Sequence, residues 1–316
     1  MVVSETTPAA APARLAGRLS TGAAKMNTWS ERISAKTSDI GFAVRRLLPS
    51  RSARHIGPFI FLDHMGPAHF NLDQRDNDVR PHPHIGLATL TYLFSGALMH
   101  RDSLGSVQRI EPGAANLMIA GRGIVHSERI PEDIRRSGTP VEGLQLWLAL
   151  PVALEECAPA FIHYDRGALP SWQQDGCRIQ LVLGDAWGRS APVAFPGDAL
   201  YAVVEMDAGA TLDIPPGFAE RGIYLASGSI SLGDENLASG ELGLLPETAT
   251  PLCITAREPS RLALLAGPTP DAHRILDWNF VSTRLERIRQ ARDDWQQGRF
   301  APVPGETEFI PLPSRS

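Results

Sequence analysis

Between residues 40 and about 265, apolar side chains recur at every second position in short runs. "LATLTYLF" (87–94), "LQLWLAL" (144–150) and "RIQLVLG" (178–184) show it most clearly. Alternate side chains of an extended chain face opposite sides of a sheet, so each run predicts a strand with one strongly apolar face. Pro112-Gly113, Pro196-Gly197 and Pro215-Pro216-Gly217 cut the runs short. Short strands separated by such turns predict an all-β sandwich or barrel. A helical period is clear only near the end, where Leu285, Ile288, Ala291 and Trp295 share a face. Thr283 and Glu286 at its start have the spacing of a capping box. The final "FIPLPSRS" is broken by prolines and reads as a tail laid over the surface.

The strand pattern repeats. "TYLFSGAL" (91–98) matches "IYLASGSI" (223–230), and "IEPGAANLMIA" (110–120) parallels "LASGELGLLP" (237–246), with Gly113 opposite Gly240. Two correspondences in the same order predict two barrels of similar fold. The expected division is a first barrel over residues 27–155, and a second over 156–316 that includes the C-terminal helix and tail.

Composition narrows the function classes. The formal charge of -5 and the absence of a Lys/Arg run argue against direct nucleic-acid binding, which draws much of its affinity from neutralised phosphates. No run reaches the roughly eighteen apolar residues of a membrane-spanning helix. Cys157, Cys177 and Cys253 are odd in number and far apart, which fits a reducing cytoplasm better than a disulfide-stapled secreted protein.

The histidines supply the candidate chemistry. Seven of the nine lie between residues 55 and 126. In "RPHPHIG" (80–86), His82 and His84 are two residues apart, so on a strand both imidazoles point the same way. Pro83 cannot donate to a sheet ladder, which places the segment at an edge or a barrel mouth. In "AGRGIVHSERIP" (120–131), His126 and Glu128 have the same spacing, with Gly121 and Gly123 free to turn the chain before them. A barrel collecting both pairs would offer three imidazoles and one carboxylate, a donor set for a divalent transition metal. The competing reading of each pair is two polar side chains at a turn. His100 and Asp102 share a face and read as a support or substrate-side pair for the site, or as an ordinary hydrogen-bonded core or surface pair. His55, His64 and His69 lie in loop-like stretches and read as structural, and Trp147 and Trp172 as core.

"RPHPHIG", "YLFSGALMHRDSLGS", "MIAGRGIVHSE" and "GLQLWLALP" together resemble pirin, a two-barrel (bicupin) member of the cupin superfamily. The likeness runs from about residue 35 to "LDWNFVSTRLERI" near the C-terminus. It implies a divalent metal, iron(II) first, held by His82, His84, His126 and Glu128. Pirins commonly read "HPHRGFET" where this chain has "HPHIGLAT", so Ile85, Leu87 and Ala88 replace an arginine, a phenylalanine and a glutamate. With that glutamate gone, Glu128 would have to serve as ligand and as catalytic base. Two functions follow from the resemblance. One is quercetin 2,3-dioxygenase activity on a flavonol and O₂. The other is a metal-dependent redox-sensing regulator that binds a transcription factor or metabolic enzyme. Overlaying the repeat puts Ile214 and Pro216 opposite His82 and His84, and Cys253 and Thr255 opposite His126 and Glu128. The second barrel, about 160–270, is therefore expected to hold no metal, and His163 is its single histidine.

Residues 1–26 are rich in Ala, Pro, Ser and Thr with no apolar period, and read as a disordered tail. Their few acids and two arginines leave a mitochondrial-type presequence as a lesser alternative, and Met26 offers a second start. A chain beginning at Met26 is expected to melt within about 2 °C of the full chain, because so polar a segment buries little surface. A larger drop in a thermal melt would show that the tail docks.

Overall fold

A computed structural model describes residues 28–73 and 77–313. The expected disordered tail over 1–26 lies outside the described residues. The chain is all-β with two barrels, each made of a seven-stranded and a four-stranded sheet.

In the first barrel the large sheet runs Ala160–Tyr164, Ala115–Ile119, Leu87–Ser95, Val141–Ala149, Phe59–Ala68, Ala43–Leu48, Lys36–Asp39. The small sheet runs Val79–His84, Ile124–Arg129, Leu98–Asp102, Val107–Ile110. The second barrel repeats the plan. Its large sheet runs Glu31–Ser34, Glu241–Leu244, Glu220–Ser227, Ser260–Gly267, Leu200–Met206, Cys177–Leu183, Ser171–Gln174. Thr211–Ile214, Leu252–Ala256, Ser229–Leu232 and Glu235–Ala238 form its small sheet.

Neither barrel is a continuous stretch of chain. Glu31–Ser34 pairs with Glu241–Leu244 in the second barrel, with Ile33 opposite Leu242. Ala160–Tyr164 pairs with Ala115–Ile119 in the first, so His163 stands opposite Asn116 in the first barrel. The sheets thus cross the expected division at 155/156, and each barrel is closed by a strand from the other half.

The large sheets pack back to back. Leu90, Leu117, Leu144, Leu146 and Leu148 of the first meet Val182, Tyr201, Val203, Leu242 and Leu265 of the second in one buried apolar layer. The sequence repeat is visible at this layer. Tyr92 donates to Gln180 Oε1 of the second barrel (2.5 Å), and its repeat counterpart Tyr224 lies 2.6 Å from His64 Nδ1 of the first. Gly96 and Gly228 both have positive φ (74° and 90°), as do Gly113 and Gly240 (82° and 83°), the left-handed backbone that a side chain disfavours.

The C-terminal helix Leu285–Gln296 also belongs with the first barrel: Ile288 and Ala291 bury against Ile85 and Phe280. The capping box does not form. The helix starts after Arg284 with no side-chain cap, because Thr283 is turned to Glu155, which accepts from its N–H and hydroxyl at 3.1 Å. Glu155 also accepts from Ser282 and lies 2.9 Å from Arg274 Nε, whose N–H points off the line between them. The tail crosses the edge of the small sheet, where Ile310 N–H donates to Pro81 O (2.8 Å).

Glu155 therefore ties the segment after the first barrel to the start of the helix. Glu155→Ala should lower unfolding free energy by about 3 kcal/mol, the low end for breaking a buried pair, since Arg274 keeps Asp271 as a partner. Urea titration against wild type measures it, and a change below 1 kcal/mol would show the tie to be dispensable.

Candidate metal centre

The 79–84 segment is the edge strand of the small sheet, as its prolines require. His82 stands opposite His126, and His84 opposite Ile124. The register shifts between His126 and Glu128, which faces Val79, so the edge strand carries an extra residue at Arg80-Pro81. Gly121 (φ 49°) and Gly123 (φ 147°) make the turn that aims the next strand. A Cβ on Gly121 would sit 2.1 Å from Cys157 O, so no larger residue fits.

This arrangement brings three imidazoles together. His82, His84 and His126 are all buried, with ligand atoms within 4.8 Å of one another. Ring centroids lie 4.9 Å (82–84), 4.3 Å (82–126) and 5.0 Å (84–126) apart. His82 Nδ1 lies 2.8 Å from Arg80 O, so it carries the proton and leaves Nε2 free. His84 Nδ1 and His126 Nε2 are buried without a hydrogen-bond partner. Buried nitrogens of this kind are costly unless something else satisfies them. Neutral imidazoles with orphaned lone pairs fit a divalent transition metal. Burial pushes the His82 pKa down to about 4, and burial plus the neighbouring His82 hold His84 and His126 well below their ordinary value.

Glu128 is not within the compact trio, but it lines the same cavity as His82 and His84. Its carboxylate makes no hydrogen bond among the described residues, and desolvation raises its pKa to about 7. His100 and Asp102 sit on the neighbouring strand behind His126 and do not line the cavity. Burial opposes the Asp102 charge, but hydrogen bonds from His100 and Ser106 together hold its pKa below the usual value.

The cavity measures about 560 Å³. Its walls include Phe61, Trp147, Trp278, Arg46 and Gln145. Phe61 and Trp147 stack at 4.0 Å and 12°, Trp147 meets His84 edge-on at 5.1 Å, and the Arg46 guanidinium lies 4.5 Å over Phe61. Trp147 is thus cavity wall as well as core. Arg46 holds buried Asp63 by two bonds, 2.9 and 2.8 Å. Thr91 donates to Gln145 Oε1 (2.7 Å), leaving Gln145 Nε2 without a partner among the described residues. Sequence reading missed Arg46, Asp63, Gln145 and Trp278. Gln145 had a signal, a polar residue at an inward position of an apolar strand.

The other expectations resolve by position. His64 is buried at the junction of the barrels, and His55 pairs with Glu220 across it (2.9 Å). His69 lies 2.9 Å from Gly138 O at the surface. In the second barrel Ile214 stands opposite Leu252 as His82 does opposite His126, and Leu232 opposite Ile254 as His100 does opposite Glu128. The counterparts of His126 and Glu128 are therefore Leu252 and Ile254, one residue before the expected Cys253 and Thr255. All four facing side chains are buried and apolar.

Comparison with known proteins agrees with this plan. The pirin family model matches residues 41–148, and that of the pirin C-terminal cupin domain matches 201–301. The chain belongs to the pirin family. Its barrels are therefore the two cupin domains of a pirin. A pirin-like protein of Caulobacter vibrioides is 42% identical over 283 residues, covering 88% of this chain and 97% of that one. A Pseudomonas aeruginosa protein with a provisional quercetin 2,3-dioxygenase name is 39% identical, over 85% and 84% of the two chains. The crystal structure of a quercetin 2,3-dioxygenase from Acinetobacter baumannii superposes with a TM-score of 0.85 at 31% identity, covering 92% and 97%. Among the described residues no helix is long and apolar enough to cross a membrane.

The histidine cluster sets a pH dependence for the metal-free protein. Unfolded imidazoles take protons near pH 6.5, and the folded cluster refuses them until about pH 4 at His82 and well below the ordinary value at the other two. Stability from this source is complete above 6.5 and is lost as pH falls toward the folded values. Glu128 opposes it, since its raised pKa favours folding at low pH and loses that contribution as pH rises through 7. Three groups outweigh one, so metal-stripped protein should melt at a lower temperature at pH 5.5 than at pH 7.5. A His84→Ala variant should show a smaller drop; an equal drop would place its cause elsewhere.

Proposed function

We propose that this pirin is a metal-dependent quercetin 2,3-dioxygenase, opening a flavonol ring with O₂. The observation that carries it is an aromatic-walled cavity onto which two of the clustered imidazoles and one unpartnered carboxylate open. We assign His82, His84, His126 and Glu128 as ligands of a divalent metal, with iron(II) first because mixed imidazole and carboxylate donors suit it. Such an ion, keeping about one positive charge beside a single carboxylate, supplies Lewis-acid binding for adjacent oxygens and electrons for O₂ chemistry.

The chain's own side chains account for the rest. The Phe61–Trp147 stack and Trp278 give a planar polyphenol flat apolar walls that exclude water. The Arg46–Asp63 pair and the free amide of Gln145 provide polar contacts for ring hydroxyls. Glu128, with a pKa near 7 before any metal binds, can accept the proton of the flavonol hydroxyl when it loosens from the ion. Replacement of the family's nearby glutamate by Ala88 leaves Glu128 as the carboxylate placed for this role. The quercetin dioxygenase names of similar proteins support the same substrate class.

Elemental analysis should find one metal per chain in wild type and a severe loss in His82→Ala. Metal-loaded wild type should consume O₂ with quercetin and bleach its yellow absorbance. Glu128→Gln should lower turnover by at least about 100-fold while keeping most of its metal, as expected for loss of a general base. His126→Ala should lose both. No flavonol loss above a metal-stripped control would overturn the enzyme reading, and capture of a protein partner by metal-loaded protein would then test the regulator.

A further inference from the structure

We propose that Asp102 and His100 are positioning residues that fix which nitrogen of His126 faces the histidine cluster. This rests on the cluster being a metal site, as read above.

The three clustered imidazoles are supported in different ways. His82 leans on the Arg80 carbonyl, whereas His84 Nδ1 has no hydrogen-bond partner. Only His126 is backed by a chain of side chains that ends on a charge. Asp102 is fully buried, and its Oδ1 accepts the N–H groups of Leu104 (2.9 Å) and Ser106 (3.0 Å). Its Oδ2 lies 3.0 Å from His100 Nε2, and His100 Nδ1 lies 3.4 Å from His126 Nδ1, a long contact. Phe161 stacks on the His100 ring at 4.1 Å and 10°, covering one face of it. His126 Nε2 has no partner.

With Asp102 ionised and His100 neutral, proton counting gives one arrangement. An ionised carboxylate only accepts, so the His100 proton is on Nε2. A neutral His100 then has its lone pair on Nδ1, and this accepts the proton of His126 Nδ1. His126 Nε2 is left with a lone pair, beside His82 and His84. The carboxylate thus sets the tautomer of a ring it does not touch.

Capping the turn accounts for Asp102 Oδ1, but a plain structural role does not explain His100. The second barrel has the same strands with Leu232 where His100 stands, so the fold builds this layer from apolar residues. Nor does the pair touch substrate, since neither residue lines the cavity.

Asp102→Asn tests the chain because it should reverse it. The amide oxygen must keep accepting from Leu104 and Ser106, so the amide nitrogen faces His100 and donates. His100 then carries its proton on Nδ1 and donates to His126, whose own proton moves to Nε2, into the cluster. Long-range ¹H–¹⁵N NMR of metal-stripped, ¹⁵N-histidine-labelled protein reads this directly. Wild type should show His126 protonated at Nδ1, and Asp102→Asn at Nε2. Cobalt(II) titration of the same samples should show affinity lowered about 10- to 100-fold, the usual cost of losing an outer partner of a ligating histidine. His100→Phe, which keeps the stack on Phe161, covers the case in which Asp102→Asn does not fold. It should leave His126 in mixed tautomers with similarly weakened cobalt binding. An unchanged His126 tautomer, or unchanged affinity with the tautomer reversed, overturns the proposal. Wild type that binds no cobalt yet shows the Nδ1–H tautomer would instead overturn the metal reading and leave the relay standing.

Discussion

The two large sheets share one apolar layer, and strand alternation carries the consequences of that contact to the rest of the molecule. In Val141–Ala149, Leu144, Leu146 and Leu148 face the second barrel. Gln145 and Trp147 therefore point into the first, because neighbours on a strand face opposite ways. The same holds for Phe59–Ala68, where Leu62 lies in the shared layer while Phe61 and Asp63 line the cavity. A one-residue slip against the partner barrel would turn every cavity residue into the interface. The apolar contact between barrels thus fixes which side chains the histidine cluster can face.

The barrels then diverge on their inner faces. The second is filled by Ile179, Leu181, Val204, Leu225, Leu232 and Ile254. The first places His82, His84, His100, Asp102 and His126 at inner positions of its small sheet. The second barrel shows that this architecture closes without them. One copy of the duplicated plan supplies a dry core and a broad face, and the other is free to carry polar groups that such a core would penalise.

What could be read from the chain divides by the range of the interactions involved. The His82/His84 spacing, the edge placement enforced by Pro83 and the repeat at Gly96 and Gly228 are local, and the structure keeps them. The capping box looked equally local but failed, because Thr283 found a buried acceptor in Glu155, over a hundred residues earlier. Exchange of Glu31–Ser34 and Ala160–Tyr164 between barrels was illegible for the same reason. Strand pattern records which face is buried and says nothing about which sheet buries it. The repeat overlay failed by one residue at Cys253, where an insertion or deletion between strands shifts the frame invisibly. On a strand that single step exchanges inside for outside, which is why Cys253 is exposed and Leu252 is core.

The cluster also has a cost that argues for its use. Three imidazoles are buried against one another, two of their nitrogens lack partners, and a carboxylate is desolvated enough to titrate near neutrality. Each unpaired buried nitrogen costs roughly 1–3 kcal/mol, a notable fraction of the net stability of a folded domain. The apolar clusters around the site are the smaller ones of the first barrel, and the large shared layer lies on the opposite face of the same strands. A bound cation would satisfy the orphaned lone pairs, and its binding energy would return to the folded state as stability.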